Sequence, residues 1–436
     1  MEKKSVIQHT PEGTVNVIFN YNYAGAPKDV VIEVKKGGNI PVFDGQTENT
    51  APETPAREGY RFAGWDTCAT PVLENGYSKT MWPLGDYFLP WSRGIEAALS
   101  VEEECMPLNE NVTLYARWVK PTFITTPEEL FAMREDLSGW YILDNDIDLT
   151  GVYWIPIGTY VSHYEYLYST WWREAFRGVL DGAGHTVKGL VLGTVSHYKD
   201  DESSRKGIRN GVSAMFGAIA DGGVVQNLNL DGITIDMESS IHYAYIAPLA
   251  GIVENGILTN CHVTNLSYKT IISDTDNIHF SAATTGIYAS LSGLVSGVWG
   301  GKVENCTVQG MMDVILTSNT SYQGTVFIGS VLGDGYIPLA HCSSDVAIKC
   351  SYTNHVAGRF KADDKESNYF SLYCGGNAGL AESLVSCPGK GSISIKDQSK
   401  KGNISVLCKG CYGALVDDDA EVLASDYSGK VEKLPN

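Results

Sequence analysis

The sequence predicts a mainly β protein, most of it a right-handed parallel β-helix, and three observations lead there. A short phrase recurs at Gly223-Val-Val-Gln-Asn-Leu-Asn-Leu230, Gly256-Ile-Leu-Thr-Asn-Cys-His-Val263 and Gly301-Lys-Val-Glu-Asn-Cys-Thr-Val308. Each copy follows an apolar-glycine segment, as in Gly293-Leu-Val-Ser-Gly297. Within each copy the apolar positions change parity. Val225, Leu258 and Val303 stand three residues before Leu228, Cys261 and Cys306, whereas side chains of a flat strand alternate with period two. The chain therefore bends between them, and Asn227, Asn260 and Asn305 sit at the bend. Asn tolerates left-handed backbone better than most residues. A second slip falls near Gly232 or Gly310. Two bends and a return per copy make a solenoid rung.

Weaker copies follow at Ala340-His-Cys342, Val385-Ser-Cys387 and Ala420-Glu-Val422. Anchors at 228, 261, 306, 342 and 387 are spaced by 33, 45, 36 and 45 residues, so rungs of one kind carry connections of different length. The block resembles the GLUG-motif repeat of bacterial surface proteins, through 293–297 followed by Glu304-Asn-Cys306. The resemblance covers roughly 176–350. It implies a β-helix and says little of function.

Before the repeats, Val15-Asn-Val-Ile-Phe19 and Val30-Val-Ile-Glu-Val34 read as strands. Pro55-Ala-Arg-Glu-Gly-Tyr-Arg-Phe-Ala-Gly-Trp65 follows, then Asn111-Val-Thr-Leu-Tyr-Ala-Arg-Trp118. This resembles the Listeria–Bacteroides repeat, matching Pro-x-Arg-x-Gly-Tyr-x-Phe-x-Gly-Trp at every fixed position. The resemblance implies a small β-grasp-like module at 1–118 with Tyr60, Phe62 and Trp65 as its core. Residues 69–108, with Trp82 and Trp91, are an insertion whose aromatics form either a ligand patch or a second small core.

Residues 119–125 read as a linker to a capped β-helix over 126–436. Thr126-Pro-Glu-Glu129 is a capping box with Pro at the first helical position. Leu130, Met133 and Leu137 share one face of the short helix it starts. A solenoid needs such a cap, because its first rung otherwise exposes core and edge. The coil begins at Trp140-Tyr-Ile-Leu-Asp-Asn-Asp-Ile-Asp-Leu149. Loops are expected at 159–175, 194–212, 268–288, 317–324 and 353–371.

The 436 residues are 43% hydrophobic, enough for a core, and carry a net charge of −19. That balance excludes a nucleic-acid-binding protein, which needs a basic face. No apolar run is long enough for a membrane span, and neither a secretory leader nor an anchor motif is recognisable. Of ten cysteines, Cys261, Cys306 and Cys342 take equivalent rung positions, with Cys387 next in line. Stacked at about 4.8 Å they are expected as a buried column of free thiols. A single Cys408-Lys-Gly-Cys411 pair is a weak metal or redox signal.

Catalytic constellations are not apparent. Asp144, Asp146 and Asp148 alternate and so share a strand face. They are candidates for calcium, which takes several oxygen ligands, and no other cofactor is expected. The blander reading is a solvated outer face. His185 has no nucleophile or orienting acid that sequence can name, and 417–419 reads as a charged guard at the solenoid end.

The aromatic set Tyr164, Tyr166, Trp171 and Trp172 resembles a binding surface in composition. The ligand surface is expected on 159–175 and 268–288 with those four as anchors, provided both loops leave from one corner. Packing of these rings against the cap helix is the competing reading. The function expected is non-enzymatic surface display: an adhesin-like protein, extracellular on a bacterial cell or phage particle, that binds a host-surface glycan or protein. A structural virion component (a phage fibre or head decoration, touching other virion proteins) is the first alternative. A polysaccharide-active enzyme on the same fold is the second.

Overall fold

The computed structural model describes residues 13–38, 40–41, 43, 45, 49–74, 76–78, 80, 108–158, 175–192, 210–220, 222–239, 243–273, 288–318, 324–354, 370–398, 404–416 and 422–434. It divides into two compact units, Met1–Pro121 and Thr122–Asn436.

The first unit is a four-stranded mixed sheet. Thr14–Asn20 runs antiparallel to Val30–Lys35 on one side and parallel to Val112–Val119 on the other. Arg61–Asp66 then pairs antiparallel with Val112–Val119. Alternation is clean in the first strand, where Val15, Val17 and Phe19 are buried beside Ile32, Val34, Leu114 and Ala116. Of the three expected core aromatics, Trp65 is buried and packs edge-on against Phe19 and Phe62. Phe62 is half-buried against that core, and Tyr60 lies outside it under Arg57. In the expected insertion, Leu73–Glu74 and Tyr77–Ser78 pair as a small hairpin. Trp82 and Trp91 lie outside the described residues.

The second unit is mainly β, in three long parallel sheets consistent with a solenoid. Sheet I has 13 strands, sheet II has 10 and sheet III has six among the described residues. One rung shows the path: Tyr288–Ser292 in sheet III, Val295–Glu304 in sheet I, Thr307–Ser318 in sheet II. The next repeats it with Gly324–Gly329, then Leu332–Gly335 and Pro338–Ala340, then Ser343–Asn354. The register stacks like on like. Tyr141, Leu180, Val225, Leu258, Val303, Leu339 and Leu384 form one inward column of sheet I. Val187, Leu230, Val263 and Val308 form another in sheet II. Nearly all are fully buried in a single core, so each rung is stabilised chiefly by its two neighbours.

Between sheets I and II the chain turns through one left-handed residue per rung. These are Asn227 (φ 52°), Asn260 (φ 53°), Asn305 (φ 55°), His341 (φ 53°), Ser386 (φ 53°) and Ala424 (φ 48°). The last corner differs from the expected anchor at 420–422. Val422–Leu423 is instead the strand leading into it, paired with Leu384–Val385. The second bend is real in early rungs, with Gly232 and Asn265 left-handed, but it fades. Sheet II shifts register between Val263 and Leu266, after which Thr307–Ser318 and Ser343–Asn354 run as unbroken strands.

Thr126 caps helix Pro127–Ala132, and both bonds of the capping box are present. Glu129 also accepts from Thr125 N and Oγ1, which holds its carboxyl below the usual range. Leu130, Met133 and Leu137 are buried in the main core at its N-terminal end. Two expectations are corrected here. Residues Pro121–Ile124, read as linker, form the edge strand of sheet I beside Trp140–Leu143, because Ile124 is apolar and its carbonyl accepts from Asp144 N. The loop expected at 268–288 begins later, because His262–Ser273 is one strand whose Tyr268 and Ile272 point into the core.

Candidate functional site

The thiol column comes first, because it fixes the frame. Each corner residue is followed by one inward side chain: Leu228, Cys261, Cys306, Cys342, Cys387 and finally Ser425. All nine described cysteines are free, including these four. The left-handed turn aims the N–H of the following residue along the stack rather than at a strand partner. The next rung's side chain accepts it. Cys306 N donates to Cys342 Sγ and Cys342 N to Cys387 Sγ, both at 3.4 Å, and Cys387 N to Ser425 Oγ at 2.9 Å. Each thiol or hydroxyl donates to the carbonyl two residues before it, as Cys342 does to Ala340 and Ser425 to Leu423. The neighbouring Cys306 thiol and burial push Cys261 and Cys342 well above the usual thiol range, whereas hydrogen bonds from the adjacent thiols hold Cys306 and Cys387 below it. All four are at most 1% exposed, so the column is closed to reagents and is structural. Asn side chains form an outer file beside them. Asn260 Nδ2 donates to Asn227 Oδ1, and Asn227 Nδ2 to Asp181 Oδ1.

The three aspartates do not share a strand face. The chain turns between Trp140–Leu143 and Ile147–Asp148, so Asp144 and Asp148 fall on either side of a corner. Asp146 takes the Lys188 ammonium at 2.8 Å and the Thr186 N–H, and Asp148 accepts from Thr150 N. These donors hold both carboxyls below the usual range. Among the described residues no group of three or more His, Cys, Asp or Glu is arranged to hold a metal.

Tyr164, Tyr166, Trp171 and Trp172 lie outside the described residues, but their stems do not. Ile157 bridges to Phe216 and Phe176 to Ile219, so residues 159–174 interrupt a sheet I strand. Residues 274–287 instead join sheet II to sheet III. The condition that both segments leave from one corner is therefore not met. What does share a corner is another set. Connections 274–287, 319–323, 355–369 and 398–403 all join a sheet II strand to a sheet III strand.

Beside that corner is an aromatic seam that sequence reasoning missed. The outward faces of sheets III and I approach closely where the chain passes between them. A Cβ on Gly333 would stand 2.2 Å from Ser290 Oγ, and that hydroxyl donates to Ser296 O at 2.7 Å. Tyr245 packs edge-on against Trp299 at 5.8 Å and near Tyr288 at 6.1 Å. Tyr288 meets Phe327, which stacks on Tyr373 at 5.0 Å. Tyr288 is the first residue after 274–287, and its hydroxyl donates to Asp334 Oδ2. Asp334 is 1% exposed, and its Oδ1 has no hydrogen-bond partner among the described residues. Burial pushes this carboxyl up to about 6, and the Tyr288 hydroxyl offsets part of that rise. Alternating aromatics in 243–245, 288, 327 and 373 were the available signal; their rung spacing hid it.

No family model matches the chain, and no curated protein matches it. Among solved structures it is similar to a crystal structure from Bacteroides ovatus described as a "putative immunoglobulin A1 protease". The identity is 15% and the TM-score 0.31, over 72% of this chain and 84% of that one. A likeness of that size carries no argument about activity. No helix among the described residues is long and apolar enough to cross a membrane.

Proposed function

We propose that the chain is a non-enzymatic display protein, adhesin-like, whose solenoid binds a glycan or protein of a host surface through connections at the corner between sheets II and III. One observation carries this: connections of very different length, such as 319–323 and 355–369, leave the same corner of a stack whose strands keep register rung after rung. Variable segments on a rigid scaffold are where binding residues concentrate. The Tyr288–Asp334 bond ties the root of 274–287 to sheet I, which supports a fixed rather than a wandering exit. Asp334 is turned inward onto that tyrosine, which favours a positioning role over general acid chemistry on a bulky substrate.

The finer assignments belong to this proposal as well. The N-terminal sheet is read as a β-grasp-like spacer of the Listeria–Bacteroides kind, supported by its single parallel pair between the first and last strands. The solenoid is read as right-handed, as parallel crossovers almost always are, with GLUG-like rungs. An extracellular position, on a cell or a virion, follows from the same reading. Trp171 and Trp172, in the segment 159–174, remain a second candidate anchor. Replacing both with Ala and measuring attachment to an array of host glycans separates the two locations. Unchanged attachment at unchanged melting temperature assigns binding to the corner. Lost attachment at unchanged melting temperature moves it to 159–174, and an array bound by neither protein refutes glycan recognition.

A further inference from the structure

The first unit contains a cleft of about 350 Å³ that the solenoid reading does not use. Its construction starts at the turn Arg57–Tyr60. Tyr60 N donates to Arg57 O at 3.1 Å, and Gly59 takes φ 74°, a left-handed position open to glycine. The turn folds Tyr60 back beneath its own Arg57. The guanidinium carbon stands 3.7 Å from the Tyr60 ring centroid, 4.6 Å from Tyr23 and 5.9 Å from Trp118. Trp118 is itself pinned by an indole bond to Tyr21 O at 2.7 Å.

Three rings thus orient Arg57, yet its five donors meet no carboxylate among the described residues. In a chain with a net charge of −19, acid partners are abundant, so a guanidinium that meets none among the described residues is unusual. Lys120 places a second cation 5.2 Å from the same Tyr60 ring. Asp66 also lines the cleft; it is 1% exposed and accepts from Ser78 Oγ at 2.6 Å and Cys68 N at 3.0 Å. A carboxylate has about four acceptor sites, so Asp66 keeps capacity for a hydroxyl donor. Thr70 and Asn22 add polar groups to the wall, and Pro71 and Leu73 add apolar ones.

We infer that this cleft is a binding site for a carboxylate-bearing sugar residue, with Arg57 taking the carboxylate and Asp66 a ring hydroxyl. A planar fork held in place by stacking suits bidentate recognition of a carboxylate, and little rotamer freedom is lost on binding. The volume is at the small end for ligand pockets and suits one sugar unit. The inference concerns a different unit from the proposed solenoid surface and stands without it.

Calorimetric titration of the full chain with sodium glucuronate tests it, with glucose and sodium sulfate as comparison probes. Glucuronate is expected to bind, and glucose at least tenfold more weakly, because glucose cannot make the charge-assisted pair with Arg57. Arg57→Gln is expected to abolish the preference for glucuronate over glucose. Should Arg57→Gln disturb the fold by removing the cation from three rings, Arg57→Lys keeps a cation over them but loses the planar fork, and is expected to weaken glucuronate about twofold or more. Glucuronate binding that neither variant changes overturns the assignment. So does equal binding of glucose, sulfate as tight as glucuronate, or no heat with any probe.

Discussion

Asn305 and Cys306 show at one corner how residue chemistry sets the rung. The left-handed turn at Asn305 breaks the strand pairing, and the Cys342 thiol of the next rung accepts the N–H so displaced. Asn305→Ala forces an ordinary L residue into φ 55°, a conformation costing such residues roughly 1–2 kcal/mol. Chemical denaturation is expected to show a loss of about 1 kcal/mol, and Asn305→Gly a much smaller one. The column also predicts that unreduced, denatured protein titrates with most of its ten thiols free. A near absence of reactive thiol would refute the stacking. Asp334 gives a pH signature. Burial pushes it up to about 6 from the ordinary carboxylate value of 3.8, so the folded state holds the extra proton between them. Its contribution to stability is complete below about pH 4 and lost as pH rises through about 6. Asp334→Asn, which keeps an acceptor for Tyr288, is expected to flatten that dependence and to raise stability at pH 8 by up to about 3 kcal/mol. Equal melting of variant and parent at pH 8 would remove the buried charge from the account. The Asn corners were legible because parity slips are local. Asp334 and Tyr288, 46 residues apart, were not, since nothing local marks their meeting.

At the scale of elements, the capping helix was legible in full. Thr126, Pro127 and Glu129 fall at fixed offsets, and the apolar face of Leu130, Met133 and Leu137 follows helical period. Thr126→Ala removes one cap bond and is expected to cost about 1 kcal/mol, read as a lower midpoint with an unchanged denaturant slope. No loss would mean that the helix is held by its buried face alone. Strand ends were less legible. Residues 268–273 are polar enough at Lys269 and Ser273 to suggest a loop, yet Tyr268 and Ile272 alternate into the core and the partner strand Thr307–Ser318 extends them. Pairing from a neighbouring rung overrides local composition. The linker erred for the same reason, since Pro121–Ile124 finds a sheet edge that sequence does not display.

For the whole molecule, parallel stacking separates what must stay fixed from what is free to vary. Inward columns run unbroken from Tyr141 to Leu384 in sheet I, and changes in rung length are absorbed mainly between sheets II and III. The repeat was legible as a period; the corner from which the variable connections leave was not, because strand ends there depend on register with the next rung. The central claim is that this corner binds while the stack carries it. The direct measurement replaces 274–287 and 355–369 together with short Gly-Ser turns, then compares thermal unfolding and host-glycan array binding with the parent chain. The account predicts a melting temperature within a few degrees of the parent, since each rung rests on its neighbours, and array binding reduced at least tenfold. Array binding retained in full on an intact stack would contradict it.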